Sequence, residues 1–366
     1  MNEDCLKLTS FFGERHRAGG RFVADVLCDL YGLHDIAASI MLRGTEGFGL
    51  KHHLRTDHSL SLSEDLPLVS IAVDRREQME ALLPSALAAN PNGLVTLERA
   101  RLVQGDVIAE ALHDLDLMGE TIKLTVYLGR QERAYRTPAF LGVCDLMQRR
   151  SLSGGTVLMG VDGTSHGERE RARFLGSNAN VPMMVIAVGP TSLVRRVLPE
   201  LGALLKRPLI TVERAQICKR DGEVLAAPST LPAVGEEGMA VWQKLMVYTS
   251  ESALHRGQPV HRAITRRLRA EGISGSTTLR GIWGFHGDHP PHGDRLFQLG
   301  RHVPVVTIVI DAPERTARAY SIIDEFTTEG GLVTSEAIPA MRASAGTKRR
   351  GGLRLATHHL RHSAGT

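Results

Sequence analysis

An α+β fold built from three tandem copies of one small domain is what this sequence predicts, and three sets of observations carry that expectation. The motifs Arg43-Gly44-Thr45-Glu46-Gly47-Phe48, Met159-Gly160-Val161-Asp162-Gly163-Thr164 and Arg280-Gly281-Ile282-Trp283-Gly284-Phe285 recur in successive segments. Upstream, Lys7, Lys123 and Lys244 each sit in an apolar run and precede their motif glycine by the same interval. Downstream, Leu66-Pro67-Leu68-Val69 aligns with Val181-Pro182-Met183-Met184 and Val303-Pro304-Val305-Val306, and Leu94-Val95-Thr96 aligns with Leu209-Ile210-Thr211 and Leu332-Val333-Thr334. A period of about 120 residues is too long for solenoid or propeller units, so each copy is a domain in its own right.

Within repeat 1, alternation at Leu6, Leu8, Ser10 and Phe12 predicts a strand. Gly19 and Gly20 then open a loop, and Val23, Val26, Leu27 and Leu30 recur at helical steps up to Gly32. A second strand from Ala37 to Leu42 runs into the glycine motif. A third, Leu66 to Val73, ends at Asp74, a residue type that caps the helix through Met79, Leu82, Leu83 and Leu87. Leu94 to Leu102 is the fourth. The order β-α-β-β-α-β is ferredoxin-like, with two helices on one face of a four-stranded antiparallel sheet.

The other copies follow the same plan. Repeat 2 offers strands at Ile122 to Leu128, Val157 to Met159, Val181 to Val188 and Leu209 to Ile217, with helices near Phe140 to Met147 and Leu193 to Leu205. Repeat 3 offers Leu245 to Tyr248, a helix stepping through Val260, Ile264 and Leu268, then Thr277 to Leu279, Val303 to Ile310, a helix opened by Asp311 and Pro313, and a last strand near Leu332. The expected organisation is repeat 1 over 1–104, a linker over 105–119, repeat 2 over 120–218, a linker over 219–240, repeat 3 over 241–343 and a basic, disordered tail over 344–366. Helices cover one face of each sheet only. Three sheets packed face-inward about a pseudo-threefold axis bury the other faces mutually, doing within one chain what a homotrimer does with three.

Composition narrows the function classes. The 366 residues are 42% hydrophobic and 23% charged, with a net charge of +4, enough apolar material for three cores. No apolar stretch approaches the roughly 20 residues of a membrane span, and the N-terminus lacks a secretion segment, so a cytoplasmic protein is expected, at most peripheral to a membrane. The four cysteines are scattered and read as buried reduced thiols. No nucleophile elbow, Walker loop or Cys-His arrangement is present, and the chain reads as non-catalytic.

Leu42-Arg43-Gly44-Thr45-Glu46-Gly47-Phe48-Gly49, Leu62-Ser63-Glu64-Asp65-Leu66-Pro67 and Gly93-Leu94-Val95-Thr96-Leu97-Glu98 in repeat 1, with Leu279-Arg280-Gly281-Ile282-Trp283-Gly284-Phe285 in repeat 3, resemble family 190 of the domains of unknown function (DUF 190), which is similar to the PII signal-transduction proteins. The resemblance implies a PII-like assembly with ligand sites in the clefts between units, an adenine nucleotide or another small anion as ligand, and a loop between the second and third strands that touches a protein partner. A membrane transporter or a fluoride channel is the partner class it suggests. No segment matches the second phosphate-binding loop of PII proteins.

The candidate ligand-binding residues are Arg43, Gly44, Glu46, Gly47, Phe48 and Gly49 in repeat 1, and Arg280, Gly281, Trp283, Gly284 and Phe285 in repeat 3. Glycines that turn with positive φ present backbone N–H groups to an anion, and arginines add bidentate contacts. The alternative is a tight turn with the arginines paired to acids. Repeat 2, with Met159 and Thr164 at the arginine and phenylalanine positions, is expected to be degenerate, leaving at most two pockets. A competing reading is a metal-binding protein that uses the third-loop histidines His286, His289 and His292.

Overall fold

The computed structural model describes residues 4–57, 65–104, 115, 119–165, 168–171, 181–234, 240–286, 292–293 and 303–353. Repeat 1 runs β1 (Asp4–Gly13), α1 (Val23–Leu33), β2 (Ala38–Phe48), β3 (Pro67–Arg75), α2 (Arg76–Ala89) and β4 (Gly93–Gln104). Repeat 2 runs β5 (Thr121–Gly129), α3 (Ala139–Arg149), β6 (Gly154–Met159), β7 (Asp162–Ser165), β8 (Pro182–Pro190), α4 (Thr191–Leu204), β9 (Leu209–Arg214) and β10 (Gln216–Arg220). Repeat 3 runs β11 (Trp242–Ser250), α5 (Val260–Ala270), β12 (Ser276–Arg280), β13 (Trp283–His286), β14 (Pro304–Asp311), α6 (Pro313–Phe326), β15 (Leu332–Ile338), β16 (Ala340–Ala345) and β17 (Lys348–Gly352).

Every repeat is α+β with the same antiparallel order. In repeat 1 it is β2-β3-β1-β4. In repeat 2 it is β6-β8-β5-β9, and in repeat 3 β12-β14-β11-β15. Alternation along each first strand sends Leu6 and Leu8 to the helices, where they pack with Leu27, Tyr31, Met79 and Leu82. The opposite faces meet in one shared core, to which repeat 1 contributes Ile40 and Ile71, repeat 2 Met184 and Ile186, and repeat 3 Ile308 and Ile310.

Strands pass between repeats in a closed cycle. The motif end of β2 pairs with β12 of repeat 3, β7 pairs with β2 of repeat 1, and β13 pairs with β6 of repeat 2. A second cycle uses the last strands: the end of β4 pairs with β9, β10 with β15, and β16 with β4.

Six buried charges stand where the three sheets meet. Lys7, Lys123 and Lys244 come from the first strands, and Glu98, Glu213 and Glu336 from the last. Each lysine bridges the glutamate of its own repeat, at 3.2, 3.1 and 2.9 Å for repeats 1, 2 and 3. Each also bridges the glutamate of another repeat, in the pairs Lys7–Glu213, Lys123–Glu336 and Lys244–Glu98. Three positive and three negative charges alternate around a neutral ring, the condition under which buried ions are tolerated. Burial alone would push the Glu98 and Glu336 carboxyls up, but the surrounding ammonium groups outweigh it and hold both well below the usual carboxylate range.

Several expectations need correction. The motif glycines are not a turn. Gly44, Gly47, Gly281 and Gly284 have no positive φ, and the second strand of repeat 1 continues through its motif to Phe48 because the chain is pairing with a neighbouring repeat. Asp74 does not cap α2. Its carboxylate accepts hydrogen bonds from the Arg75 and Ala37 N–H groups, tying β3 to the entry of β2. Asp311 does the same with Ala312 and Ser274. Residues 344–352, expected in a disordered tail, belong to the β16–β17 hairpin that closes the second cycle. Arg354 and Arg361 lie outside the described residues. All four cysteines are buried and none forms a disulfide. Among the described residues no helix is long and apolar enough to cross a membrane.

Removing one member of the ring leaves carboxylates without full compensation. Lys123→Met is expected to cost roughly 3–5 kcal/mol in chemical denaturation. The lowered carboxyls of Glu98 and Glu336 contribute stability that is complete above the unfolded-state pKa near 4.5 and is lost as pH falls toward their folded values. Acid titration followed by circular dichroism should therefore show the transition of the wild type steepening below about pH 4.5, and Lys123→Met should flatten it.

Candidate functional site

A cleft of about 510 Å³ opens at the seam between repeats 1 and 3. Its apolar interior comes from β1, β4, β14 and β16, with Phe11, Leu94, Ile308, Ile310 and Met341 among the lining side chains. Gly47, Phe48 and Gly49 bring the end of the repeat 1 motif to it, and Ser274 to Thr277 bring β12. Lys51, His53 and Arg55 follow the motif into the lining, and Arg15, His16 and Arg17 reach it from the loop after β1. Among the described residues no carboxylate lines the cleft.

The basic side chains differ in how far they are engaged. Arg55 is 2.9 Å from Asp65, whose other oxygen accepts the Arg15 backbone N–H at 2.7 Å. His16 Nδ1 donates to the Asn92 carbonyl at 3.2 Å. Burial lowers the His16 imidazole below its ordinary value; Asp65 opposes this, and Arg55 and Lys51 reinforce it. Arg17 lies 4.0 Å over the Phe22 ring. Arg350, from β17, bonds Asp311 at 3.0 Å and Ser274 at 2.7 Å. The side chains of Arg15, Lys51 and His53 are exposed at the mouth.

The motif arginines lie elsewhere. Arg43 makes a bidentate pair with Glu14 at 2.9 and 3.1 Å, and Arg280 pairs with Glu251 and lies 3.7 Å from Asp57. Glu14 and Glu251 occupy equivalent positions just after their first strands. In repeat 2 both partners differ together, as Arg130 and Met159. The motif arginine is thus a strand-end tie, and neither arginine lines the cleft. The acid partners are Glu14 and Glu251, whereas Glu46 is buried in β2 with Oε2 unpartnered. Burial pushes its carboxyl up to about 7 against the opposing pull of Arg262 and Arg266.

The glycines act through close approach. An added Cβ at Gly47 would stand 2.7 Å from the Ser276 carbonyl oxygen, and one at Gly284 2.6 Å from that of Gly155. Gly44 and Gly281 are held in the same way against Pro67 and Pro304.

The equivalent seam between repeats 3 and 2 keeps only about 20 Å³. Gly155 stands there where Ser276 stands in the open seam, and the Phe285 ring lies over it, 2.5 Å from where a Cβ would be. Phe48 faces Ser276, is buried in the repeat 3 core with Val260 and Ile264, and stacks on His52 with centroids 5.8 Å apart. Gly284 and Phe285 line the closed pocket; Trp283 packs against the repeat 2 core. At the third seam Thr164 replaces the phenylalanine and donates to the Ile36 carbonyl at 3.0 Å, with Ser39 Oγ 2.8 Å away. Of the histidine cluster, His289 lies outside the described residues, and only the backbone of His286 and His292 is described. Among the described residues the group with metal-ligand spacing is Glu98, Glu213 and Glu336, and lysines already engage all three.

Two outcomes follow from this geometry. Gly47→Ala should destabilise by roughly 1–3 kcal/mol in urea titration, while Gly49→Ala, with nothing within 4 Å of an added Cβ, should be near neutral. Because the Glu46 carboxyl is raised when folded, its contribution is favourable below about pH 4.5 and is lost as pH rises through about 7. Glu46→Gln should match the wild type at pH 4.5 and exceed it at pH 8 in thermal denaturation.

Comparison with known proteins agrees with the internal repetition. The DUF190 family model, described as "Uncharacterized ACR", matches three times, over residues 5–102, 121–217 and 242–340. A UPF0166 protein of Aquifex aeolicus is 32% identical over 92 residues, covering 25% of this chain and 86% of that protein. A UPF0166 protein of Methanocaldococcus jannaschii is 29% identical over 89 residues, covering 24% of this chain and 82% of its own length. Each relative thus spans about one repeat, and with matches covering most of its length in three consecutive blocks, this chain belongs to the DUF190 family.

Proposed function

We propose that the protein is a non-catalytic, PII-like regulator: three ferredoxin-like units forming an intramolecular pseudo-trimer that binds a small anionic metabolite, an adenine nucleotide among the candidates, between repeats 1 and 3. The cyclic strand exchange and the shared core support the pseudo-trimer. The observation that carries the binding reading is the cleft itself: about 510 Å³, lined by six cationic or imidazole side chains from repeat 1 and Arg350 from the C-terminal hairpin, with no lining carboxylate among the described residues. Among the described residues this cleft is open and its counterpart between repeats 3 and 2 is closed, so a single ligand per chain is the expected stoichiometry.

Regulation follows from where the cleft lies. Gly47 to Lys51, His53 and Arg55 line it and belong to the end of the second strand and the segment after it, so a ligand that engages this stretch changes the surface a protein partner meets. The partner class we favour is a membrane transporter, fluoride channels included, contacted from the cytoplasmic side.

The test is thermal stabilisation in a panel of phosphates, nucleotides and carboxylates. A ligand at 100 times its Kd should add about 2.7 kcal/mol to stability. Arg15→Ala combined with Lys51→Ala should abolish the shift, whereas Arg43→Ala, which removes only the tie to Glu14, should retain it. A panel that leaves the wild type unmoved, or a shift that survives the double substitution, would refute the assignment.

A further inference from the structure

The cleft is sorted by depth. Exposed basic side chains, Arg15, Lys51 and His53, sit at its mouth with no carboxylate beside them in the lining among the described residues, while Ile308, Ile310, Met341 and Ala343 are buried within. Leu94 and Phe11, half-buried, join the two zones. A fully hydrated anion such as inorganic phosphate satisfies the mouth only and leaves the apolar interior facing water. Apolar surface left in contact with water is unfavourable in proportion to its area, and a ligand that covers it gains correspondingly.

Resting on the anion-binding reading above, we propose that the cleft takes an amphipathic phosphomonoester: a dianionic head held at the mouth by Arg15 and Lys51, and an apolar body inserted toward Leu94, Ile308 and Met341. Two features favour a dianion over a monoanion. Arg15 and Lys51 both stand exposed at the mouth, and Arg17 and Arg55 line the same cleft. One feature favours an apolar body. The interior side chains come from both repeats and so form a continuous wall.

Isothermal titration of the full chain with inorganic phosphate, hexyl phosphate and hexanol separates the contributions. Hexyl phosphate should bind one per chain with a Kd at least tenfold below that of inorganic phosphate, and hexanol should give no measurable heat. Leu94→Asn should shrink the advantage of hexyl phosphate while leaving the phosphate Kd unchanged, and Arg15→Ala with Lys51→Ala should weaken both. Equal affinities for phosphate and hexyl phosphate would overturn this inference and leave the anion site standing. Failure of both phosphates to bind would overturn the site itself. Measurable hexanol binding equal to that of hexyl phosphate would show that the head contributes nothing, which also defeats the inference. Should Leu94→Asn fail to fold, the three wild-type titrations decide alone.

Discussion

Six alternating charges at the meeting of three sheets are the constraint on which the structure rests. Each lysine bridges its own carboxylate and that of another repeat, so the full set of contacts forms only when all three repeats meet. An isolated unit would bury or expose a lysine and a glutamate on an otherwise apolar face. Burial of charge is costly unless pairing is complete, and here completeness is a property of the closed cycle. The ring therefore specifies how many units assemble and in which register. Apolar packing of Ile40, Met184, Ile308 and their neighbours supplies the driving force that the ring orients.

Covalent fusion lets the three seams differ. In a symmetrical trimer one sequence must serve every seam, whereas this chain places Ser276, Gly155 and Ser39 at equivalent positions opposite Phe48, Phe285 and Thr164. The seam where Ser276 faces Phe48 holds about 510 Å³ and the one where Gly155 faces Phe285 about 20 Å³, while at the third Ser39 and Thr164 make a hydrogen-bonded join. The basic residues follow the same divergence, since Arg15 and His16 in repeat 1 correspond to Gln131 and Glu132 in repeat 2 and to Ser252 and Ala253 in repeat 3. Open volume and positive charge occur together at one seam.

Much of the fold was legible because the repeats check one another. The Lys7, Lys123 and Lys244 register and the Leu-x-Thr anchors located first and last strands, and the glutamates lie two residues beyond each threonine, at Glu98, Glu213 and Glu336. That second signal was available but is overlooked when one reads for apolar periodicity, in which a buried charge appears as a surface residue. The motif glycines were read as a turn because Gly-x-x-Gly is locally ambiguous; their extended state is set by Ser276 and Gly155, far away in sequence. Arg43 and Arg280 drew attention as ligand contacts although Glu14 and Glu251 vary with them across the repeats, as expected of a structural pair. The cleft's own cations lie in a loop where sequence gives no periodicity, and the contribution of Arg350 depended on a hairpin formed by pairing to β4.

The strand exchange bears on what happens to an incomplete chain. In the closed molecule the end of β2 and the extension of β4 are each hydrogen-bonded to another repeat, so stretches that would be raw edges in a lone unit are occupied. Bare edges recruit other polypeptides and seed fibres. A nascent or proteolysed fragment that lacks its third repeat would leave the end of β2 without β12 and β6 without β13, beside a ring stripped of Lys244 and Glu336, and so would open to other polypeptides the edges that the complete chain covers.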